Sequence, residues 1–192
     1  MMSTEDIIKF ESREQITESL RMKRDLSGAD LSGQDLSGIK FTGLNMEGAN
    51  LSESNLENAV LAAINLAEVN LTGALMNKAR IVAANLGRAN LSGAQLRETK
   101  ITAVNLENAD LTEADLTGSI MFAVNVAGAN FRDVQTTNAQ ASGVDWSGAK
   151  VPPAEIPEPI PVPPWIPAIL AGIGLVFIVG IILVRKRRKN VG

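Results

Sequence analysis

Residues 86–106 read LGRANLSGAQLRETKITAVNL, and an aliphatic residue recurs at every fifth position of this stretch. The same spacing continues in both directions, so that from Leu26 to Phe131 every fifth residue is apolar, 22 in a row without an insertion. A period of five matches neither the two residues of a strand nor the 3.6 residues of a helix. The pattern therefore predicts a repeat architecture in which each unit turns and points one apolar side chain inward.

The repeat units have similar sequences, and typical ones are ADLSG, ANLSE, ANLSG, ADLTE and ADLTG. The residue two places before the central apolar residue is usually small or aliphatic, as at Ala89 and Ala109, and the residue between them is usually Asn or Asp. These units resemble the pentapeptide-repeat family, whose pattern is A(D/N)LXX, over about two thirds of the chain. The resemblance implies an all-β solenoid, a right-handed quadrilateral β-helix with four units per coil. Its core ladder would include Leu31, Leu51, Leu71, Leu91, Leu111 and Phe131.

Four units per coil predict a second period of 20 residues, and the sequence contains it. Similar segments recur at that spacing: FTGLNM at 41, LAAINL at 61, IVAANL at 81, ITAVNL at 101, MFAVNV at 121 and ASGVDW at 141. In this series the inward residue before the Asn or Asp is mostly bulky, with Ala84 as the exception: Leu44, Ile64, Val104, Val124 and Val144. One corner of the core is therefore expected to be filled by aliphatic groups. Residues 26 to 151 then correspond to roughly six coils at ~4.8 Å per coil.

One face of the predicted coil departs from the Asn-or-Asp rule. Of the 26 positions just before a central residue, from Asp25 to Lys150, 16 hold Asn or Asp, but the series that includes Lys100 holds none. With its outward neighbours this series forms an interaction stripe: Lys40, Val60, Arg80, Val82, Lys100, Ile120, Phe122 and Gln140. An exposed apolar patch often marks a protein interface. Three alternatives stay open: the N-terminal segment covers the stripe, the face tolerates sequence drift, or its basic members meet anionic lipid headgroups.

Composition divides the chain into five regions. Residues 1–24 are a charged, helix-compatible capping segment, 25–151 the β-helix, 152–164 a proline-rich linker, 165–184 an uncharged segment and 185–192 a basic tail. In the cap, Ser3 or Thr4 would begin a helix and apolar residues would contact the first coil: Ile7, Ile8, Ile16 and Leu20. Trp146 is expected to close the last coil. The prolines favour a semi-rigid polyproline II stalk of roughly 40 Å.

The uncharged segment, WIPAILAGIGLVFIVGIILV, has the length of a membrane-spanning helix. Its 20 residues would extend ~30 Å as a helix, the thickness of the hydrocarbon layer. Interfacial anchors flank it on both sides: Trp165, Arg185, Lys186, Arg187, Arg188 and Lys189. The sequence therefore predicts a single-pass membrane protein with a C-terminal anchor in the lipid bilayer.

Two rules give opposite orientations for this anchor. The basic tail places the C-terminus in the cytoplasm and the β-helix outside. However, the N-terminus has no apolar region typical of a secretory signal, which favours a cytosolic β-helix. We expect the cytosolic arrangement, with the exported one as the alternative.

The absence of two residue types argues against several kinds of catalysis and metal binding. The chain contains no His and no Cys, on which general base catalysis, thiol nucleophiles and many metal sites depend. We therefore expect no enzyme activity, catalytic residue, cofactor or metal. The expected function is a membrane-anchored scaffold that binds a protein partner on one face, and a homo-oligomer is compatible with that role.

The resemblance brings one alternative function, a DNA-mimicking regulator of a type II topoisomerase, and an exported β-helix would bring another, a cell-surface stalk. A DNA mimic needs a strongly acidic rod. Residues 26–151 carry 13 acidic and 8 basic residues, a net charge of −5. This charge ranks the mimic below the scaffold, and no nucleic acid partner is expected.

Overall fold

The computed structural model describes residues 13–160. The chain begins there with one helix and continues as a parallel sheet whose strands pair in chain order. The elements are α1 (Arg13–Met22), β1 (Lys40–Thr42), β2 (Val60–Ala62), β3 (Arg80–Val82), β4 (Lys100–Thr102), β5 (Ile120–Phe122), β6 (Gln140–Ser142), a short 3-10 helix (Trp146–Gly148) and β7 (Glu158–Pro159).

The register of the sheet is 20 residues from β1 to β6. Lys100 pairs with Arg80 on one side and with Ile120 on the other. Three further faces carry single parallel bridges in the same register, which start at Asp25 with Asn45, Asp30 with Asn50 and Asp35 with Asn55. The predicted all-β parallel solenoid of about six coils is thus confirmed, with four faces to each coil. Its handedness stays a prediction from the resemblance.

Backbone hydrogen bonds join each coil to the next. On one face, the Leu106 N–H donates to the carbonyl of Asn125 in the following coil (2.8 Å), and the Asn125 N–H donates back to Val104 (3.0 Å). The same exchange recurs along the other faces. The coils therefore satisfy their backbone groups through their neighbours rather than within themselves.

Each unit ends in a turn with a left-handed residue. Every fifth residue from Gly28 to Gly143 has a positive φ, and ten of these residues are glycine while 14 are not. On three faces a hydrogen bond closes the turn, as from the Ala109 N–H to the Leu106 carbonyl (3.0 Å). This geometry is that of a turn with positive φ at its third residue, where glycine or asparagine fits with least strain.

The face that carries β1 to β6, called the strand face below, has a different corner. Within the described residues, no turn hydrogen bond links the central residue of this face to the residue three positions later. The chain stays extended for three residues, and side chains bulkier than alanine fill most of the inward positions after the corner: Leu44, Ile64, Val104 and Val124, all at most 4% exposed. The bulky corner expected from the 20-residue period is therefore the open corner of the strand face.

The core is a column of central residues stacked from coil to coil. All 22 central residues from Leu26 to Phe131 are at most 3% exposed. The core ladder lies there, with Leu31, Leu51, Leu71, Leu91, Leu111 and Phe131 each at most 1% exposed. Full burial of a leucine side chain contributes about 1.5–3 kcal/mol before conformational entropy is subtracted. The column is therefore the main source of stability inside the coils.

Outside the core, side-chain amides form a second ladder. The Nδ2 of each Asn donates to the Oδ1 of the residue 20 positions earlier along the series Asp25, Asn45, Asn65, Asn85, Asn105 and Asn125, at 2.8–3.1 Å. Each oxygen also accepts a backbone N–H two residues later in its own coil, as Asn105 does from Glu107 (3.1 Å). The recurrent Asn and Asp therefore fix both the local turn and the stacking of coils.

Both ends of the solenoid are covered. Ile16 of α1 is fully buried and belongs to the hydrophobic core. At the other end Trp146 packs edge-to-face on Phe131, with ring centroids 5.3 Å apart. The expected helix start at Ser3 or Thr4 and the contacts of Ile7 and Ile8 lie outside the described residues.

The first part of the proline-rich linker differs from the expected stalk. Pro153 and Pro157 are buried, and the Thr136 hydroxyl donates to the Glu155 carbonyl (2.7 Å). β7 then pairs in parallel with β6, and the Glu158 N–H donates to Ala139 (3.1 Å). Proline is tolerated there because the outer side of an edge strand needs no donor. Residues 152–159 thus cover the last coil rather than extend away from it.

The predicted membrane segment, residues 165–184, and its anchors Trp165 and 185–189 lie outside the described residues. Between residues 13 and 160 no helix is long and apolar enough to cross a membrane. The membrane anchor stays a prediction.

Two buried serines at equivalent inward positions give a matched test of the core. The Ser54 hydroxyl donates to the Leu51 carbonyl (2.7 Å), whereas the Ser119 oxygen is buried without a partner. We expect Ser54→Ala to cost about 1 kcal/mol of unfolding free energy, because a hydrogen bond is lost. Ser119→Ala should be neutral or stabilise by up to about 1 kcal/mol, because an unsatisfied hydroxyl is removed. Urea unfolding followed by circular dichroism measures both; an equal loss in the two variants would contradict the assignment.

The turn hydrogen bonds predict that Asn stabilises the face that carries Asn105 but is not needed for stability on the strand face. Asn105→Lys removes three hydrogen bonds, two to neighbouring asparagines and one to the Glu107 N–H, and should cost about 1–3 kcal/mol. Lys100→Asn should change the unfolding free energy by less than about 0.5 kcal/mol, because an exposed strand position makes no such bonds. Thermal unfolding of the two variants compares them directly, and a larger loss for Lys100→Asn would refute this account.

Candidate interaction surface

All eight residues of the interaction stripe lie on the strand face. The residues before the centre of each strand form one outward column, and the residues after the centre form a second, parallel column. The first column reads Lys40, Val60, Arg80, Lys100, Ile120 and Gln140, and the second contains Val82 and Phe122. Residues up to 100 positions apart in sequence therefore share one narrow strip of sheet.

The apolar members of the stripe are accessible to a partner. Phe122 is 52% exposed and Ile120 is 37% exposed, and the two flank the same buried residue of β5. Val60 and Val82 are half-buried on neighbouring strands. Large exposed apolar side chains are rare elsewhere on the described coils, which makes the C-terminal half of the stripe the apolar part of this surface.

Charge is segregated between the strand face and the other three faces. On the strand face, residues 40–43 and the equivalent segments through 140–143, the charged residues are Lys40, Arg80 and Lys100, all basic. The remaining positions between 25 and 144 hold 13 acidic and four basic residues. The stripe is therefore a basic strip bordered by acidic faces.

The basic residues of the other faces are mostly paired. Arg88 contacts Glu68 (2.6 Å), Arg97 contacts Asp115 (2.5 Å) and Lys78 lies 4.0 Å from Glu98. In residues 13–160 no ion pair or side-chain hydrogen bond involves Lys40, Arg80 or Lys100. The cations of the stripe are thus available to a partner.

The best-paired carboxylate on these faces is Asp115. Burial opposes its ionised form, but hydrogen bonds from Thr117 and the Arg97 guanidinium outweigh this effect and lower the pKa of Asp115. The ionised form of Asp115 is therefore the favoured one in the folded protein.

Arg80 and Lys100 are direct neighbours across β3 and β4. Like charges in directly opposed positions destabilise a sheet. The stability of the coil therefore does not account for the adjacent placement of these two cations.

A cleft of about 370 Å³ lies beside residues 123–127 where the chain leaves the last coil, and Asp145 is the ionisable residue in its lining. No group of side chains within residues 13–160 is arranged to hold a metal ion.

The structure adds two residues that the repeat pattern did not indicate. Glu158 of β7 pairs with Gln140 and so extends the first column of the stripe by one acidic residue. Ile156, just before β7, is 52% exposed. Neither follows the five-residue spacing, because the chain after Gly143 no longer keeps the register of the coils; Asn130, for example, bridges to Val151.

Comparison with known proteins identifies the repeat. The family model described as pentapeptide repeats matches in eight copies, with overlapping segments at 25–62, 54–93, 64–102, 79–118 and 100–135. No curated protein matches the chain.

One solved structure supports the same fold. A trypsin-treated variant of QnrB1, a plasmid-mediated fluoroquinolone resistance protein, is 23% identical with a TM-score of 0.61, over 66% of this chain and 67% of that one. The pentapeptide repeat protein Rfr23 from the cyanobacterium Cyanothece 51142 is 20% identical with a TM-score of 0.41, over 70% of this chain and 99% of that one. A pentapeptide repeat protein from the Arabidopsis thaliana thylakoid lumen is 29% identical with a TM-score of 0.29, over 63% and 69% of the two chains. With family matches from residue 25 to residue 135, more than half of its length, the chain belongs to the pentapeptide-repeat family.

Proposed function

We propose that this protein is a non-catalytic, membrane-anchored scaffold that binds a protein partner through the interaction stripe. The observation that carries the proposal is the continuity of the stripe, since the five strands β1 to β5 contribute unpaired cations and exposed or half-buried apolar groups to one strip of sheet. Specific interfaces combine an apolar centre with charged groups that set orientation. The absence of His and Cys from the sequence supports a role without catalysis.

Membrane attachment is part of the same proposal and rests on the sequence. The 20 uncharged residues at 165–184 have the length of a spanning helix, and a basic cluster follows them. The proposal takes the β-helix to lie in the cytosol. A cell-surface stalk is the corresponding function if the orientation is reversed.

The second candidate, a DNA-mimicking regulator of a type II topoisomerase, is favoured by the acidic character of three faces. Its difficulty is the amount of charge. B-DNA carries one negative charge per ~1.7 Å, so six coils at ~4.8 Å each would correspond to about 17 charges. Residues 26–151 have a net charge of −5, and the strand face is basic. The scaffold therefore accounts for more of this surface than the mimic does.

The proposed interface predicts that replacing the apolar residues of the stripe by asparagine abolishes partner binding. The triple variant Val60→Asn, Ile120→Asn, Phe122→Asn should keep the fold, because these side chains point outward, and should lose the partner. Co-purification from cells, with circular dichroism to verify folding, measures this. The control is Ser52→Asn, Thr72→Asn, Thr112→Asn on the opposite face, which should retain the partner. A folded triple variant with unchanged partners and oligomeric state would show that the stripe is not an interface.

The orientation of the membrane segment can be tested because the chain has no native cysteine. One cysteine is introduced at Ser147, which is exposed at the end of the solenoid, and in a separate variant at Asn190. We expect a membrane-impermeant maleimide to leave Ser147→Cys unlabelled in intact cells and to label it after permeabilisation. Labelling of Ser147→Cys alone in intact cells would reverse the proposed orientation and favour the stalk.

A further inference from the structure

The shape and charge of the stripe restrict what can bind it. Its strands are three residues wide, or ~7–10 Å, and β1 to β6 extend it over ~24 Å at the usual strand spacing. Acidic faces border it on both sides. A ligand surface much wider than the strip would bring its own charge against these faces.

The order of chemical groups along the stripe is asymmetric. From β1 to β4 the exposed groups are mainly cationic, with Arg80 and Lys100 on adjacent strands. On β5 Ile120 and Phe122 follow, one strand beyond Lys100. A complementary partner presents anionic groups beside Arg80 and Lys100 and an apolar group about one strand spacing further on.

A second copy of this chain does not fit that requirement. In the two-fold arrangement that superimposes the whole of two stripes, Arg80 of one copy faces Lys100 of the other, and Lys40 faces Gln140. Like charges brought together in an interface cost affinity and select against the pairing.

An anionic bilayer is complementary to the cations of the stripe but not to the acidic faces on either side of it. A planar membrane would also extend over the neighbouring faces, which carry acidic residues. Repulsion of those faces opposes the attraction of the three cations to anionic headgroups. A single protein segment is narrow enough to contact the cations and avoid the carboxylates.

We infer that the partner bound by the interaction stripe is an acidic protein segment, lying along the strand face with carboxylates beside Arg80 and Lys100 and an apolar side chain against Phe122. This inference rests on the proposed function, since it specifies the partner of the same surface. Charge complementarity would orient the segment along the solenoid axis, and Phe122 would supply the apolar anchor.

A photo-crosslinking amino acid at Phe122 tests the occupant directly. The full chain carrying p-benzoylphenylalanine at position 122 is expressed in the cells of origin and irradiated, and the adducts are mapped by mass spectrometry. Position 132, exposed on the opposite face, carries the same group as a control. We expect adducts at 122 and not at 132, on a protein segment that contains Asp or Glu within a few residues of the crosslink.

Charge reversal tests whether the adduct at position 122 depends on electrostatic attraction to the stripe or only on proximity to it. Arg80→Glu with Lys100→Glu should reduce the yield of the 122 adduct about tenfold, because attraction becomes repulsion. Arg132→Glu with Lys150→Glu changes the net charge by the same amount on the opposite face and should alter the yield less than twofold. Circular dichroism verifies that both double variants are folded.

The outcomes distinguish this inference from the proposed function. A protein adduct that lacks nearby carboxylates, or that survives reversal of Arg80 and Lys100, overturns the acidic partner but leaves the protein interface in place. Adducts confined to lipid, or to a second copy of this chain, overturn both in favour of those occupants. Failure to form any adduct at 122 beyond the level at 132 shows that the stripe is unoccupied, and likewise overturns both.

Discussion

The exchange of backbone hydrogen bonds between successive coils, in which donor and acceptor are 19 or 21 positions apart, is the interaction on which this structure depends. It requires each coil to contain four units of equal length, since one extra residue would displace every later donor from its acceptor. The same register stacks the central residues into the core ladder and the asparagine amides into the outer ladder. Core packing, amide bonding and backbone pairing therefore support one register rather than compete.

The four faces use that register in two ways. On three of them a hydrogen-bonded turn follows the bridge, and an Asn or Asp oxygen commonly accepts the turn N–H. On the strand face the corner is open and the outward side chains make no such bonds. Because no turn hydrogen bond requires Asn or Asp at these positions, their residue types can be selected for binding a ligand. This is why a basic and apolar stripe is compatible with a stable coil.

The sequence was sufficient for much of the fold because one period determines both core and register. The spacing of Leu91, Leu96 and Ile101 predicts the inward column, and the recurrence of aliphatic residues at Val104 and Val124 predicts four units per coil. The open corner that makes those side chains necessary was not predicted, because hydrogen bonding in a turn is not encoded by a single residue type. Residues with positive φ were also missed, since only ten of the 24 such positions carry the glycine that signals them.

The surface was predictable to a lesser degree. The membership of the stripe follows from the 20-residue period alone, but the unpaired state of Arg80 and Lys100 requires knowledge of which carboxylates lie within reach. The packing of residues 152–159 was not predicted, because proline content favours an extended chain without indicating whether it contacts the solenoid. In the structure Pro153 and Pro157 are buried and β7 adds a strand to the sheet.

The equality of the five-residue units has a consequence for how such a chain can change in evolution. Duplication of one unit preserves the apolar column, because the next leucine still occupies an inward position. It also advances everything downstream by a quarter of a coil, so that Ile120 and Phe122 would leave the strand face for a neighbouring one while Lys40 and Arg80 stayed behind. Only gains or losses of whole 20-residue coils keep the faces in phase. The 106 residues from Leu26 to Phe131 without an insertion are therefore a constraint on surface as much as on core.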